Sequence, residues 1–198
     1  MKTRANGFTL LEVIISLAIT VLVMGVIYTF FFSSNRTLSV TKINSILQDE
    51  GEVIEKELFN LGTQAQGIIN VNGKSAESIK YGSSVDIDIS ENEKYKLSTT
   101  SMELSYENGD KAIINLINSQ LTVKVIKNDG TVVVPTKILS ANVTEFKIRP
   151  LDVRMVSATE NSYFSKAPGV EFSIMLNKEK GYSNVEYPVN LIVKFRNK

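Results

Sequence analysis

The sequence contains no cysteine and no histidine. Without cysteine the chain can form neither disulfides nor thiolate nucleophiles, and without histidine it lacks the side chain most used in general acid–base catalysis. The two absences together also remove ordinary zinc sites. Few routes to an enzyme remain, so the sequence predicts a non-enzymatic protein that holds no metal and no other cofactor.

Neither sign of charge is in large excess: the chain has 22 lysines and arginines against 21 aspartates and glutamates. Lys2 and Arg4 precede the first acidic residue, Glu12, so the surplus lies at the N-terminus. A neutral remainder lacks the broad basic field that gives non-specific affinity for nucleic acid. The balance argues against nucleic acid as the main partner, although a local basic patch can still bind it.

One long apolar run occupies residues 8–32, in which Glu12 is the single charged residue and proline is absent. At about 1.5 Å per residue, a helix of this length crosses the hydrocarbon core of a bilayer. Lys2 and Arg4 then stay in the cytoplasm, and the rest of the chain lies on the far side. The run is longer than the apolar stretch of a secretory signal and ends in aromatic residues, which argues against ordinary secretory cleavage. A plain single-span anchor is still an alternative.

Glu12 is costly inside an apolar helix, by about 2.5 to 3.5 kcal/mol on insertion scales, so it needs a partner or a purpose. Gly7 supplies a small residue that a protease subsite can require. Cleavage between Gly7 and Phe8 would create a new α-amine close to the carboxylate in sequence. That amine suits an ion pair with Glu12 of a neighbouring copy when the helices pack in a staggered bundle away from water.

These residues resemble the type IV prepilin family, whose leader is also called a class III signal peptide. The matching stretch is GFTLLEV, beginning at Gly7, after a short polar leader that contains Lys2 and Arg4. The resemblance implies cleavage after Gly7 by a membrane-embedded prepilin peptidase, methylation of the Phe8 amine and a role for Glu12 in subunit docking. The implied partners are the peptidase, other pilin subunits and the cytoplasmic membrane before assembly.

Beyond the apolar run the pattern predicts that the helix continues to about Leu61. Apolar residues recur there at spacings of three, four or seven, as on one face of an amphipathic helix. They are Val40, Ile43, Leu47, Ile54, Leu58 and Leu61. Gly62 is the expected stop, and Gly25 and Gly51 are positions at which the helix can bend.

After the helix the period changes to two, which is typical of half-buried strands. The predicted strands cover residues 85–89, 94–99, 102–107, 111–117, 121–126, 131–134, 143–149, 170–176 and 185–195. Asn108-Gly109 and Asp129-Gly130 are hairpin signals, because these residues tolerate the positive φ of tight turns. Residues 150–169 show no period and are expected to form a surface loop. The fold class is therefore α+β, with a long N-terminal helix packed on an antiparallel sheet.

This order of elements also resembles the general pilin architecture. It divides the chain into a cleaved leader (1–7), a transmembrane and filament-core helix (8–32), an amphipathic second half of the helix (33–62) and a sheet-rich pilin domain (63–198). The stretch from Leu47 to Gly62, with the late strands, is similar to W-type minor pilins and J-type minor pseudopilins. Minor pilins act at or near the filament tip. The expected protein is thus a single-pass membrane subunit with its N-terminus inside, which later enters an extracellular or periplasmic filament.

Several alternatives are open from the sequence. The same helix chemistry serves a type IV pilus, a type II secretion pseudopilus and a competence DNA-uptake machine, and a filament-tip subunit can also be an adhesin. An adhesive surface would use the tyrosines, and DNA would use the basic clusters near the C-terminus. The tyrosines are Tyr81, Tyr95, Tyr106, Tyr163, Tyr182 and Tyr187; the basic residues are Lys178, Lys180, Lys194, Arg196 and Lys198.

The spacing of Asp86, Asp88, Ser90 and Asn92 is similar to the start of a calcium loop, but the glycine and the final glutamate are missing. Solubility explains these residues better than a metal does.

Overall fold

In the computed structural model, which describes residues 9–79, 96–151, 164–181 and 183–196, the chain opens with one helix, α1 (Leu10–Gln64). Thr9 is the N-cap, and its hydroxyl oxygen accepts a hydrogen bond from the Glu12 N–H at 3.3 Å. At the other end Ala65 is extended and donates its N–H to the Gly62 carbonyl at 3.1 Å. The helix therefore ends three residues beyond the predicted Leu61.

Within the described ranges ten strands follow, and they form two antiparallel sheets. The strands are β1 (Gly67–Val71), β2 (Lys74–Ser75), β3 (Leu97–Ser98), β4 (Ser101–Ser105), β5 (Lys111–Ile117), β6 (Gln120–Ile126), β7 (Val132–Ser140), β8 (Val143–Pro150), β9 (Gly169–Lys180) and β10 (Ser183–Lys194). The six-stranded sheet has the order β2-β1-β4-β5-β6-β7, and the four-stranded sheet has the order β10-β9-β8-β3. The α+β class is confirmed.

The expectation of one sheet is corrected, because the chain changes sheets between β3 and β4. Thr99 is buried, and its N–H donates to the Phe146 carbonyl of the four-stranded sheet at 2.8 Å. The next residue, Thr100, donates its N–H to Asn72 Oδ1 beside the six-stranded sheet, also at 2.8 Å. Two adjacent residues thus tie the sheets together, and no local pattern marks this step.

The strand predictions agree with the structure at β5 and differ elsewhere in length. Strands β1 and β2 were missed, and β7 runs past Pro135 to Ser140, which is possible because β7 is an edge strand with shifted pairing. Gly109 and Gly130 have φ of 82° and 85°, as their hairpin turns require.

In the expected loop, Phe164 instead starts a short 3-10 helix and is buried. The predicted strand 85–89 and the metal candidate Asp86 with its neighbours lie outside the described residues.

The distal half of α1 packs its predicted stripe on β9 and β10. The buried residues of the helix are Ile43, Leu47, Gly51, Ile54, Leu58 and Gly62. Both glycines are packing positions: a Cβ built on Gly51 would lie 2.9 Å from the Tyr187 ring, and one on Gly62 would lie 2.6 Å from Val193 Cγ1. Gly62 is therefore not the helix stop that the sequence indicated. We call the two sheets, together with α1 from Ile43 onward, the head.

Candidate functional site

The N-terminal end of α1 carries a single carboxylate on a capped helix. Glu12 stands in the first turn, where the helix dipole favours negative charge, and its backbone N–H is bound by Thr9. Within the described ranges, which begin at Thr9, the Glu12 carboxylate has no ion-pair partner. Lys2, Arg4, Gly7 and Phe8 lie outside the described residues, so the cleavage and methylation sites stay predictions.

The hydroxyl groups near Glu12 are satisfied inside the helix. Ser16 donates to the Val13 carbonyl at 2.9 Å, and Thr20 donates to the Ser16 carbonyl at 2.7 Å. Such back-bonding lets these residues lie in hydrocarbon without an external donor or acceptor. Glu12 differs from them because a carboxylate cannot satisfy itself in this way.

The first half of α1 stands away from the head. Its large apolar side chains from Leu10 to Phe32 are all exposed, and Leu38 is exposed as well. In the part of the chain that the structure describes, α1 is the one helix long and apolar enough to cross a membrane. Exposed apolar surface on this scale marks a segment that contacts lipid or other protein.

Two carboxylates fix the second half of the helix to the six-stranded sheet. Glu50 accepts hydrogen bonds from Ser140 Oγ at 2.6 Å and from Asn142 Nδ2 at 2.8 and 2.9 Å, and Lys178 Nζ lies 4.0 Å away. Two helical turns further on, Glu57 forms a salt bridge with Lys137 of β7. Sequence reasoning missed both, since their hydrogen-bond partners Ser140, Asn142 and Lys137 lie 80 to 92 residues away.

The two described tyrosines of the candidate adhesive set serve the packing of the head. The Tyr106 hydroxyl donates to the Leu61 carbonyl at 3.2 Å. Burial, and secondly the Asp110 charge, raise the pKa of Tyr106 to about 12. Tyr187 is half-buried against Gly51. Both tyrosines thus pack against α1 instead of forming a shared outer surface. Tyr81, Tyr95, Tyr163 and Tyr182 lie outside the described residues.

The described basic residues near the C-terminus do not form one patch. Lys178 and Lys180 lie at the turn end of the β9–β10 hairpin, where Lys180 pairs with Ser183. Lys194 pairs with Gly169 at the opposite end. Lys194 lies eleven residue steps along β10 from Ser183, which is about 36 Å. This separation weakens the case for a nucleic-acid surface. Among the described residues no group of three or more acidic side chains is arranged to hold a metal.

Residues 2–28 match the family model of the prokaryotic N-terminal methylation motif. No curated protein and no solved structure matches this chain. The matched segment includes the Gly7–Phe8 step, Glu12 and most of the exposed apolar helix. The methylation motif therefore overlaps the exposed, apolar first half of α1.

Proposed function

We propose that this chain is a type IV pilin or pseudopilin and, more narrowly, a minor pilin of an extracytoplasmic filament. The N-terminal methylation motif at residues 2–28 supports the family. The observation that carries the proposal is α1 itself. Its first half is apolar on all sides and exposed, and its second half packs against the sheets of the head. This form suits a subunit whose helix lies first in a membrane and then among other helices.

In this proposal each part of the chain has its own role. Residues 1–7 are removed by a prepilin peptidase, and the Phe8 amine is methylated. Residues 8–32 anchor the subunit in the membrane and later form the filament core, and residues 33–62 connect this core to the sheets of residues 63–198. The minor role rests on the resemblance to W-type minor pilins and on a head with ten strands.

Glu12 is the docking residue of the mechanism. Its carboxylate enters hydrocarbon with no partner on its own described helix, so it attracts a cation from a neighbouring subunit. The amine released by cleavage after Gly7 is such a cation. Pairing of the amine with Glu12 neutralises both charges and sets the stagger between adjacent helices.

The test separates processing from docking. The full chain is produced in cells that contain a prepilin peptidase and the assembly machinery, and its intact mass and N-terminal sequence are measured. We expect a chain that starts at methylated Phe8. In Glu12→Ala we expect the same cleavage but loss of most incorporation into sheared filaments. Ser16→Ala is the matched control, because its hydroxyl is satisfied within the helix.

Normal incorporation of Glu12→Ala would remove Glu12 from docking. An uncut chain in the presence of active peptidase would overturn the proposed function as a whole.

A further inference from the structure

A short polar stretch of α1 separates its exposed apolar half from the head. The apolar half runs from Leu10 to Phe32, which is about 33 Å of helix and close to the roughly 30 Å thickness of a hydrocarbon core. The first buried residue of the helix, Ile43, lies about 16 Å beyond Phe32. When the apolar half lies in a membrane, residues 33–42 therefore pass through the layer of lipid headgroups.

This stretch carries two charges, and both are positive. Arg36 and Lys42 are exposed, and within the described residues neither forms an ion pair. The nearest acidic residues along the helix are Glu12 and Asp49, which lie about 36 Å and 20 Å from Arg36. Arg36 thus has no anion within reach on its own helix.

The uncharged polar side chains beside Arg36 are satisfied by the helix backbone. Asn35 donates its amide to the Phe31 carbonyl at 3.0 Å, and Thr37 donates its hydroxyl to the Ser33 carbonyl at 3.1 Å. These side chains need no partner outside the helix. Arg36 differs from them, because its guanidinium has five N–H donors and makes no hydrogen bond to a described residue.

Depth distinguishes the two basic residues. Arg36 lies four residues beyond Phe32, or about 6 Å along the helix, whereas Lys42 lies ten residues beyond it, or about 15 Å. The headgroup layer is about 5 to 8 Å thick on each side of the hydrocarbon core. Arg36 therefore lies at the depth of the lipid phosphates, and Lys42 lies above them in water.

We propose that Arg36 binds the phosphate group of an anionic phospholipid in the leaflet from which the head emerges. This inference rests on the proposed function, because it applies to the subunit while α1 lies in a membrane. The guanidinium presents parallel N–H groups that match two oxygens of a phosphate, and no acidic side chain of the helix competes at that depth. The contact holds the end of the apolar half at the membrane surface and keeps the head clear of the headgroups.

The test measures the lipid that the full chain retains. The chain is reconstituted in vesicles of phosphatidylcholine with a minority of phosphatidylglycerol, extracted in mild detergent and weighed by native mass spectrometry. We expect phosphatidylglycerol to stay bound, and Arg36→Gln to retain several-fold less of it. The matched control is Lys42→Gln, which removes the same charge from the same helix above the headgroups. It should retain as much lipid as the unmodified chain.

A displaced arginine shows whether depth decides the contact. Lipid surrounds the helix on all sides, so Thr37→Arg, about 1.5 Å higher and about 100° around the helix, should restore retention to the Arg36→Gln chain. Lys42→Arg in the same Arg36→Gln chain should not restore it, because its guanidinium lies above the phosphates.

Three results would overturn the lipid contact. They are equal retention of phosphatidylglycerol by Arg36→Gln and the unmodified chain, an equal loss in Lys42→Gln, and displacement of the lipid by excess inorganic phosphate, which would show a site for a free anion. In each case the chain still inserts into the vesicles, and the proposed function stands. If alkaline carbonate washes the unmodified chain off the vesicles, α1 does not span the membrane, and the proposed function fails together with this contact.

Discussion

At the residue scale, Glu50 joins the helix to the turn between β7 and β8. Its carboxylate accepts bonds from both Ser140 and Asn142, and its side chain is 24% exposed. Glu50→Ala leaves these two donors without their acceptor, which typically costs about 1 to 3 kcal/mol. We expect a loss of unfolding free energy of this size, measured by urea unfolding of the full chain in detergent with circular dichroism.

The control for Glu50→Ala is Glu55→Ala. Glu55 is exposed on the same helix and accepts no hydrogen bond among the described side chains, so its removal should change the unfolding free energy by less than about 0.5 kcal/mol. Equal losses in the two variants would show that Glu50 does not hold the head together.

Glu12 and Glu50 also show what a sequence reveals about single residues. Glu12 could be singled out because its cost is local: one carboxylate in an apolar run is anomalous whatever surrounds it. Glu50 stands in an acidic stretch where a carboxylate is ordinary, and its partners follow 90 and 92 residues later. Its role depends on tertiary contacts, which no pattern within the helix contains.

At the element scale, the two glycines decide how closely α1 approaches β10. A Cβ on Gly62 would lie 2.6 and 3.2 Å from Cγ1 and Cβ of Val193. Alanine favours a helix by about 1 kcal/mol over glycine, but overpacking typically costs about 1 to 3 kcal/mol. Because Val193 Cβ is fixed to the backbone, we expect the clash to win, with Gly62→Ala destabilised by about 1 kcal/mol or more in the same urea measurement.

Asn60→Ala is the control for helix propensity at an exposed position two residues away, and it should be neutral or slightly stabilising. If the Gly62→Ala chain is as stable as the unmodified protein, β10 can shift to accommodate the added methyl group at little cost in free energy.

The helix stripe was predictable from sequence, whereas its two glycine members were not. The spacing of the apolar residues predicts a buried helix face, which contains Ile43, Leu47, Ile54 and Leu58. Glycine carries little hydropathy signal, so Gly62 indicated a stop and Gly51 a bend. To recognise a glycine as a packing position, one needs the distance between the helix and β10, which the sequence does not contain. Similarly, β3 and β4 were readable as strands, but their assignment to different sheets depends on the bonds of Thr99 and Thr100.

At the scale of the whole molecule, the order of helix and then strands was predictable because periods of 3.6 and 2 are local properties. The pairing of the strands was not, because it joins distant segments: β1 pairs with β4 across an interval that contains β2 and β3. The long apolar first half of α1 is thus readable from sequence, and the contacts within the head are not.

The separation of the two ends leads to a last prediction. Every buried residue of α1 lies at Ile43 or beyond, so a chain that starts at Ser33 keeps the complete core of the head. We expect its unfolding free energy to match that of the full chain within about 0.5 kcal/mol, while its association with membranes is lost. A chain that starts at Gln48 additionally loses Ile43 and Leu47, each of which contributes about 1.5 to 3 kcal/mol by burial. Urea unfolding of the three chains, with sedimentation of membranes, distinguishes anchor from core. A marked destabilisation on removal of residues 1–32 would show that the exposed half of α1 supports the head after all, and the division of the helix into two roles would then be wrong.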